Sequence, residues 1–94
     1  MISKKYDGGK NRWDLLPVEC VEEIVSVLTH GSKKYADNGW QSLPNLQNRY
    51  YAAALRHIVA WRKGTKMDHE SKLHHLAHAC ACLIFCMWKD RKRN

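Results

Sequence analysis

Apolar residues recur every three or four positions along three segments of the chain, the spacing that places them on one face of an α-helix. The first segment covers residues 18–35. The second covers residues 46–63 and ends before Gly64, a residue type typical of the position just past a helix. The third covers residues 68–88, and Asp68 is predicted to be its N-cap. The pattern therefore predicts an all-α protein with three main helices.

Each predicted helix has an apolar stripe that we expect to be buried. The stripe of the first helix contains Val18, Val21, Ile24, Val25 and Leu28. That of the second contains Tyr51, Ala54, Leu55, Ile58 and either Trp61 or Arg62. That of the third contains Leu73, Leu76, Ala77, Cys80, Leu83, Ile84, Met87 and Trp88, with a flanking stripe of His75, His78, Cys82 and Phe85. Three helices leave an apolar face that a fourth would cover, so we expect homo-oligomerisation to complete a helical bundle.

The composition indicates one domain over residues 1–94, with an irregular basic arm over residues 1–16. Its net charge is +7 and its pI about 9.4, which favours anionic partners. Nucleic acid is not favoured as that partner, because no recognisable reading motif is present. We expect no membrane partner and a cytoplasmic location, because there is neither an apolar run of ~20 residues nor the apolar core of a signal peptide. The four cysteines do not suggest a disulfide framework.

Two clusters of cations are candidate phosphate contacts. Lys10 and Arg12 stand beside Trp13, a combination that can hold a phosphate and stack a base. The alternative is a basic surface loop in which Trp13 plugs one end of the core. Lys33 and Lys34 lie near the end of the first helix, where they either contact phosphate or compensate the helix dipole.

Arg56 and His57 lie in the middle of the second helix. Arg49 and Lys63 are each seven residues from Arg56, so the three cations form one basic edge of that helix. His57 adjoins the apolar stripe, and it is either a ligand contact or a core histidine whose hydrogen bonds are satisfied. This segment therefore offers a third candidate contact for an anionic ligand.

Carboxylates and histidines supply candidate metal ligands on two helices. Glu19, Glu22 and Glu23 occupy the polar side of the first helix, where a pair of them would suit a divalent cation. Acids early in a helix also complement its dipole, which is the structural alternative. His75 and His78 are three residues apart, so they can share one face of the third helix.

Five motifs occur in order along the chain: Lys-x-Arg-Trp-Asp-Leu-Leu-Pro at 10–17, the segment at 22–35, Ala-Leu-Arg-His at 54–57, Asp-x-Glu-Ser at 68–71 and His-Leu-Ala-His at 75–78. Together they resemble a mostly phage-borne family, the N-terminal domain of dATP/dGTP diphosphohydrolases. The resemblance covers nearly the whole chain. It implies an all-α relative of the MazG/HisE-type nucleotide pyrophosphohydrolases, which cut a nucleoside triphosphate to monophosphate and pyrophosphate with Mg²⁺ or Mn²⁺.

The chain departs from the MazG pattern in the acids. The usual Glu-Glu-x-x-Glu set is shifted to Glu19-x-x-Glu22-Glu23, and His75-x-x-His78 stands where a later acidic pair would be expected. Two hypotheses follow from these departures.

The first hypothesis is a metal-dependent nucleotide pyrophosphohydrolase that acts on (deoxy)purine nucleoside triphosphates. Glu22 and Glu23 would be catalytic, and Glu19, Glu22, Glu23, His75 and His78 would hold Mg²⁺ or Mn²⁺. The nucleotide would be bound by Lys10, Arg12, Trp13, Lys33, Lys34, Arg56 and His57.

The second hypothesis is a non-catalytic phage protein that sequesters a host nucleotide immune signal, such as a cyclic nucleotide. It would need no metal, and it would act in the host cytoplasm against a host defence. Both hypotheses place a nucleotide ligand on a homo-oligomer.

Overall fold

Three α-helices make up most of the chain in a computed structural model, which describes residues 8–92. They are α1 (Val18–Lys34), α2 (Leu46–Arg62) and α3 (His75–Lys92). Two short 3-10 helices, Trp13–Leu15 and Gly39–Ser42, precede α1 and α2. The described residues contain no β-strand, so the predicted all-α class is confirmed.

The first two helices agree with their predicted bounds to within one residue at each end. α2 ends as expected at Gly64, whose φ of +108° is a conformation that glycine adopts without steric cost. The basic arm is less regular. Its first seven residues lie outside the described ones, and Trp13 is 74% exposed. The interpretation in which Trp13 plugs the core is therefore wrong.

The start of the third helix differs from the prediction. α3 begins at His75, and the Asp68 side chain accepts the N–H groups of Glu70 at 3.1 Å and Ser71 at 2.8 Å within a turn instead. Lys72 has a left-handed backbone with φ of 64°, which interrupts any helix from Asp68. Asp68 is therefore not the N-cap of α3. His74 takes that role, because its Nδ1 accepts the N–H of Leu76 at 3.0 Å.

The core lies where α3 packs against α1 and α2. Small residues on α3, Ala77 and Ala81, lie in this contact and allow close approach of the helices. Phe85 fills the far end, with its ring stacked on Trp40 at a centroid distance of 4.1 Å and edge-on to Tyr50 at 4.8 Å. Trp40, from the loop between α1 and α2, thus closes the core as an aromatic lid.

Part of the predicted apolar stripes faces solvent. On α3, Leu83 is 47% and Met87 59% exposed, and with the exposed Cys80 they form what we call the outer stripe. The flanking stripe is the buried one instead, with Cys82 7% and Phe85 8% exposed. The prediction of a buried Cys80–Leu83–Met87 face is therefore wrong, because the helices approach through the smaller alanine-rich side. Other large apolar side chains that were expected inside are also exposed: Val18, Val25, Leu28, Tyr51, Leu55, Trp61 and Ile84.

The four cysteines are free thiols, as expected. No helix among residues 8–92 is both long and apolar enough to span a membrane.

Candidate functional site

A cleft of about 1000 Å³ opens between the three helices. It is bounded by the C-terminal half of α1, the loop that carries Trp40, one side of α2 and the α2–α3 loop. Its charged and titratable lining comprises Lys34, Arg49, Arg56, His30, His57, His78, Asp37, Asp68 and Glu70. Aromatic rings contribute too, from Tyr35, Trp40, Tyr50 and Phe85. Concave surfaces with a few convergent polar groups on an apolar wall are typical ligand sites.

Three histidines meet at one end of this cleft. The Nδ1 atom of His57 lies 2.8 Å from the Nδ1 atom of His75, which is 8% exposed. The ring of His57 also stacks on that of His78, with centroids 4.6 Å apart and planes 9° apart. The helical spacing of His75 and His78 therefore places both rings against the same residue of α2.

A short polar chain holds His78 in place. Ser71 Oγ and His78 Nε2 share a hydrogen bond of 2.7 Å, and Ser71 Oγ also accepts the N–H of Leu73 at 3.2 Å. Although burial opposes the effect, hydrogen bonds from Ser71 hold the pKa of Asp68 below its ordinary value. The α2–α3 loop thus presents an ionised carboxylate beside the histidine cluster.

Burial lowers the pKa of both His57 and His78. The neighbouring His78 and His75 lower the pKa of His57 further, whereas Asp68 partly offsets the shift at both residues. Both rings are therefore neutral near pH 7, and a neutral imidazole offers one N–H donor and one lone pair.

The cations of the cleft differ in their partners. Lys34 Nζ lies 2.7 Å from Glu70 Oε1, an exposed ion pair that joins the end of α1 to the α2–α3 loop. This pairing raises the pKa of Lys34 and lowers that of Glu70. Arg49 and Arg56 form no ion pair with any of residues 8–92. The Nε2 atom of His30 is buried in the cleft and has no hydrogen-bond partner among residues 8–92. The cleft thus has donors that an anionic ligand can use.

The structure divides the predicted site residues into two groups. Lys34, Arg56, His57 and His78 line the cleft, and His75 adjoins it through His57. Those that do not line it are Lys10, Arg12, Trp13, Glu19, Glu22, Glu23 and Lys33. Arg12 forms an ion pair with Asp14 at 2.7 Å.

The three glutamates of α1 are exposed and lie towards its N-terminal end. Glu23 precedes the cleft residue His30 by seven positions, about 10 Å along a helix. The described residues therefore do not gather Glu19, Glu22 and Glu23 with His75 and His78. Within residues 8–92, the group of three with the spacing of metal ligands is His57, Asp68 and His75.

Sequence reasoning missed several residues of the cleft. Arg49 had a signal, because it lies seven residues before Arg56 on the basic edge of α2. Asp68 was interpreted as a helix cap, which hid its place beside the histidines. His30 stands in the motif at 22–35, but its local pattern did not indicate a place in a cleft, and Asp37 gave no signal.

Comparison with known proteins decides the family. Residues 2–94 match the family described as "dATP/dGTP diphosphohydrolase, N-terminal". The chain belongs to this family. It is 36% identical over 88 residues, 94% of its length, to a protein named dATP/dGTP diphosphohydrolase from Salmonella phage PMBT28. The resemblance stated from the motifs is thus confirmed.

The chain spans about 30% of the length of that phage relative. No solved structure matches the chain.

Proposed function

We propose that the cleft binds a purine deoxynucleoside triphosphate and takes part in its hydrolysis to monophosphate and pyrophosphate. The observation that carries this proposal is the pair of guanidinium groups, Arg49 and Arg56, with no carboxylate partner among residues 8–92, in one cleft with neutral histidines. The name of the phage relative, dATP/dGTP diphosphohydrolase, supports the choice of substrate.

The cations account for the phosphate end of the ligand. Arginine binds phosphate oxygens through two parallel N–H groups, so Arg49 and Arg56 suit a polyphosphate better than point charges would. Lys34 joins them by exchanging its exposed partner Glu70 for phosphate. The aromatic wall at Trp40 and Tyr50 then accepts the base.

The histidines account for proton transfer. A neutral imidazole accepts a proton from an attacking water, and it does so best when its pKa lies near the working pH. His78 meets the first condition in this cleft. A divalent ion such as Mg²⁺ or Mn²⁺ would neutralise charge on the phosphates. The roles predicted for Glu19, Glu22 and Glu23 as metal ligands, and for Glu22 and Glu23 in catalysis, stay predictions.

The test uses the purified chain with dATP, dGTP, dCTP or dTTP and with Mg²⁺ or Mn²⁺. We expect pyrophosphate release from the purine nucleotides, its loss on chelation of the metal, and a decrease in Arg56→Ala. Arg62→Ala, which changes the same residue type outside the cleft on the same helix, is the control and retains activity. If Arg56→Ala retains activity and Glu22→Ala loses it, the active site lies on α1 and not in the cleft.

A second candidate function is nucleotide binding without hydrolysis. The position of the three α1 glutamates outside the cleft favours it, because the site then has fewer acids than a MazG-type centre. In a phage, such a protein would sequester a host nucleotide signal, for example a cyclic nucleotide. Recovery of intact nucleotide from the denatured complex, with no pyrophosphate released, would establish this function and exclude the hydrolase for the chain alone.

Homo-oligomerisation is also part of the proposal. Large apolar side chains such as Leu83, Met87 and Tyr51 are about half exposed, and a partner would cover them. Light scattering coupled to size-exclusion chromatography measures the mass, and a strictly monomeric mass at working concentration would contradict it.

A further inference from the structure

We propose that His57, Asp68 and His75 form a binding site for a divalent transition-metal ion such as Zn²⁺ or Mn²⁺. One ligand atom from each of these residues lies within 4.8 Å of the other two. Ligand atoms of one ion, each bonded at ~2.1 Å, lie at most about 4.2 Å apart. The three side chains therefore need only small adjustments to share one ion.

The two imidazoles lie close to the spacing that a shared ion requires. Their Nδ1 atoms are 2.8 Å apart. Given bonds of ~2.1 Å, two nitrogens bound to one ion lie about 3.0 Å apart at about 90° and about 3.4 Å apart at the tetrahedral angle of Zn²⁺. At 2.8 Å the pair has room for one proton between the nitrogens, so at least one presents a lone pair. An ion would replace that shared proton and bind both.

The three ligands come from separate elements that the backbone holds together. His57 lies on α2, His75 begins α3, and Asp68 lies on the loop between them. The N–H of Asp68 donates to Leu73 O, and the N–H of His75 to Lys66 O, each at 2.8 Å. Because these bonds fix the loop against the start of α3, the ligands are arranged before any ion arrives.

Neighbouring groups orient the ligands as second-shell partners do in metal sites. The N–H of Ser71 donates to the Asp68 carboxylate at 2.8 Å, and Ser71 Oγ is bonded to His78. The His78 ring in turn stacks on His57. Such outer partners fix the orientation of ligand side chains and contribute to metal affinity.

The donor set selects the ion. Two imidazole nitrogens and one carboxylate favour Zn²⁺, Co²⁺ or Mn²⁺, whereas Mg²⁺ prefers oxygen ligands and keeps several waters. Three protein ligands leave further coordination positions open. Because His57 and Asp68 line the cleft, those positions face the space in which a ligand would sit. Metal binding here does not depend on the proposed hydrolysis.

The test is calorimetric titration of the metal-free chain with Zn²⁺, Mn²⁺ or Mg²⁺ in the absence of nucleotide. We expect binding of one Zn²⁺ or Mn²⁺ per chain, and no comparable heat with Mg²⁺. His75→Ala and Asp68→Asn should each weaken binding at least about tenfold, judged by the effect that even outer-shell changes have. His69→Ala, an exposed histidine of the same loop, is the matched control and retains affinity.

Circular dichroism of each variant shows whether α3 still folds. A second readout, the visible spectrum of the Co²⁺ complex, identifies the donor atoms directly. A Co²⁺ spectrum typical of nitrogen and oxygen ligands, and a change of that spectrum in Asp68→Asn, support the site. A thiolate charge-transfer band would place the ion on a cysteine, and equal loss of affinity in His69→Ala would indicate surface histidines; either result overturns the proposal.

Discussion

The two sides of α3 differ in a way that runs against simple hydropathy. The inner side carries alanines, a cysteine, two histidines and one phenylalanine, and it is the side that packs against α1 and α2. The outer stripe carries larger apolar residues, Leu83 and Met87, which remain 47% and 59% exposed. Within one chain, therefore, close approach of the helices decides which side is buried.

The difference follows from the inner side, where small side chains allow the helices to bring the histidines together. Small residues such as Ala77 and Ala81 let α2 come close enough for His57 to reach His75. Larger side chains there would push the helices apart and separate the rings. The outer stripe has no such constraint, and it is the surface that the proposed homo-oligomer would cover.

The largest expected effect is the loss of stability in Phe85→Ala. Phe85 is 8% exposed and contacts both Trp40 and Tyr50, so truncation should lower the free energy of unfolding by about 3–5 kcal/mol. Leu83→Ala, two residues away on the outer stripe, should cost about 1 kcal/mol or less in the monomer. Urea denaturation followed by circular dichroism measures both. Equal losses would show that the two sides of α3 are buried alike.

The next effect concerns assembly. Met87→Glu places a charge on the outer stripe and should dissociate the proposed homo-oligomer, because burying an unpaired carboxylate is costly. The measurement is the mass by light scattering across a dilution series. Gln41→Glu, at an exposed position of the 3-10 helix before α2, adds the same charge and should leave the mass unchanged. An oligomer that persists in Met87→Glu would remove the outer stripe from the contact.

A smaller effect is expected for nucleotide affinity in Arg56→Ala. Hydrogen bonds to charged groups contribute about 1.5–3 kcal/mol each, so dATP binding should weaken about 10- to 100-fold. Calorimetry with dATP and metal-free protein separates this effect from metal binding. Arg62→Ala should bind as the unchanged chain does. If both variants weaken binding equally, general charge rather than the cleft attracts the nucleotide.

The smallest effect is the response of stability to pH in the presence of a chelator. The folded-state pKa values of His57 and His78 are lowered, so between the folded and unfolded values the unfolded chain binds more protons. The contribution of these two histidines to the free energy of unfolding is therefore fully present above about pH 6.5, the unfolded pKa. It is lost as the pH falls through their lowered folded-state pKa values. The urea midpoint should therefore decrease as the pH is lowered from roughly 8 to roughly 5, a range that includes the unfolded pKa of histidine. His78→Gln should flatten the curve, whereas the exposed His69→Ala should not.

Sequence periodicity was sufficient for the bounds of α1 and α2, but not for the start of α3 or for the buried sides of the helices. The bounds of α1 and α2 follow from local patterns, and so does the end of α2 at Gly64. The pattern on α3 fits two stripes, and only the fit between helices decides between them. Asp68 was misjudged because the same hydrogen bonds serve a helix cap and a turn, and the left-handed Lys72 that distinguishes them has no signature in the sequence.

The site was predictable in part. The spacing of His75 and His78 predicts a shared face of α3, and both rings do lie against His57, whereas the contact of His75 with His57 joins residues 18 positions apart. Long-range contacts of this kind depend on how α2 and α3 cross, which no local pattern records. The same limit hid His30 and Asp37.

Because Cys82 is buried, the rate at which its thiol reacts with a reagent can report the opening of the α2–α3 contact. Burial raises the pKa of its thiol to about 11, so the reactive thiolate is scarce while the helices stay packed. Cys80 and Cys20 are exposed, so we expect them to react with a thiol reagent before Cys82 does. The delay before Cys82 reacts therefore reports how often the helices separate. The rate of Cys82 modification thus measures, without any added probe, how often the core that contains the histidines opens.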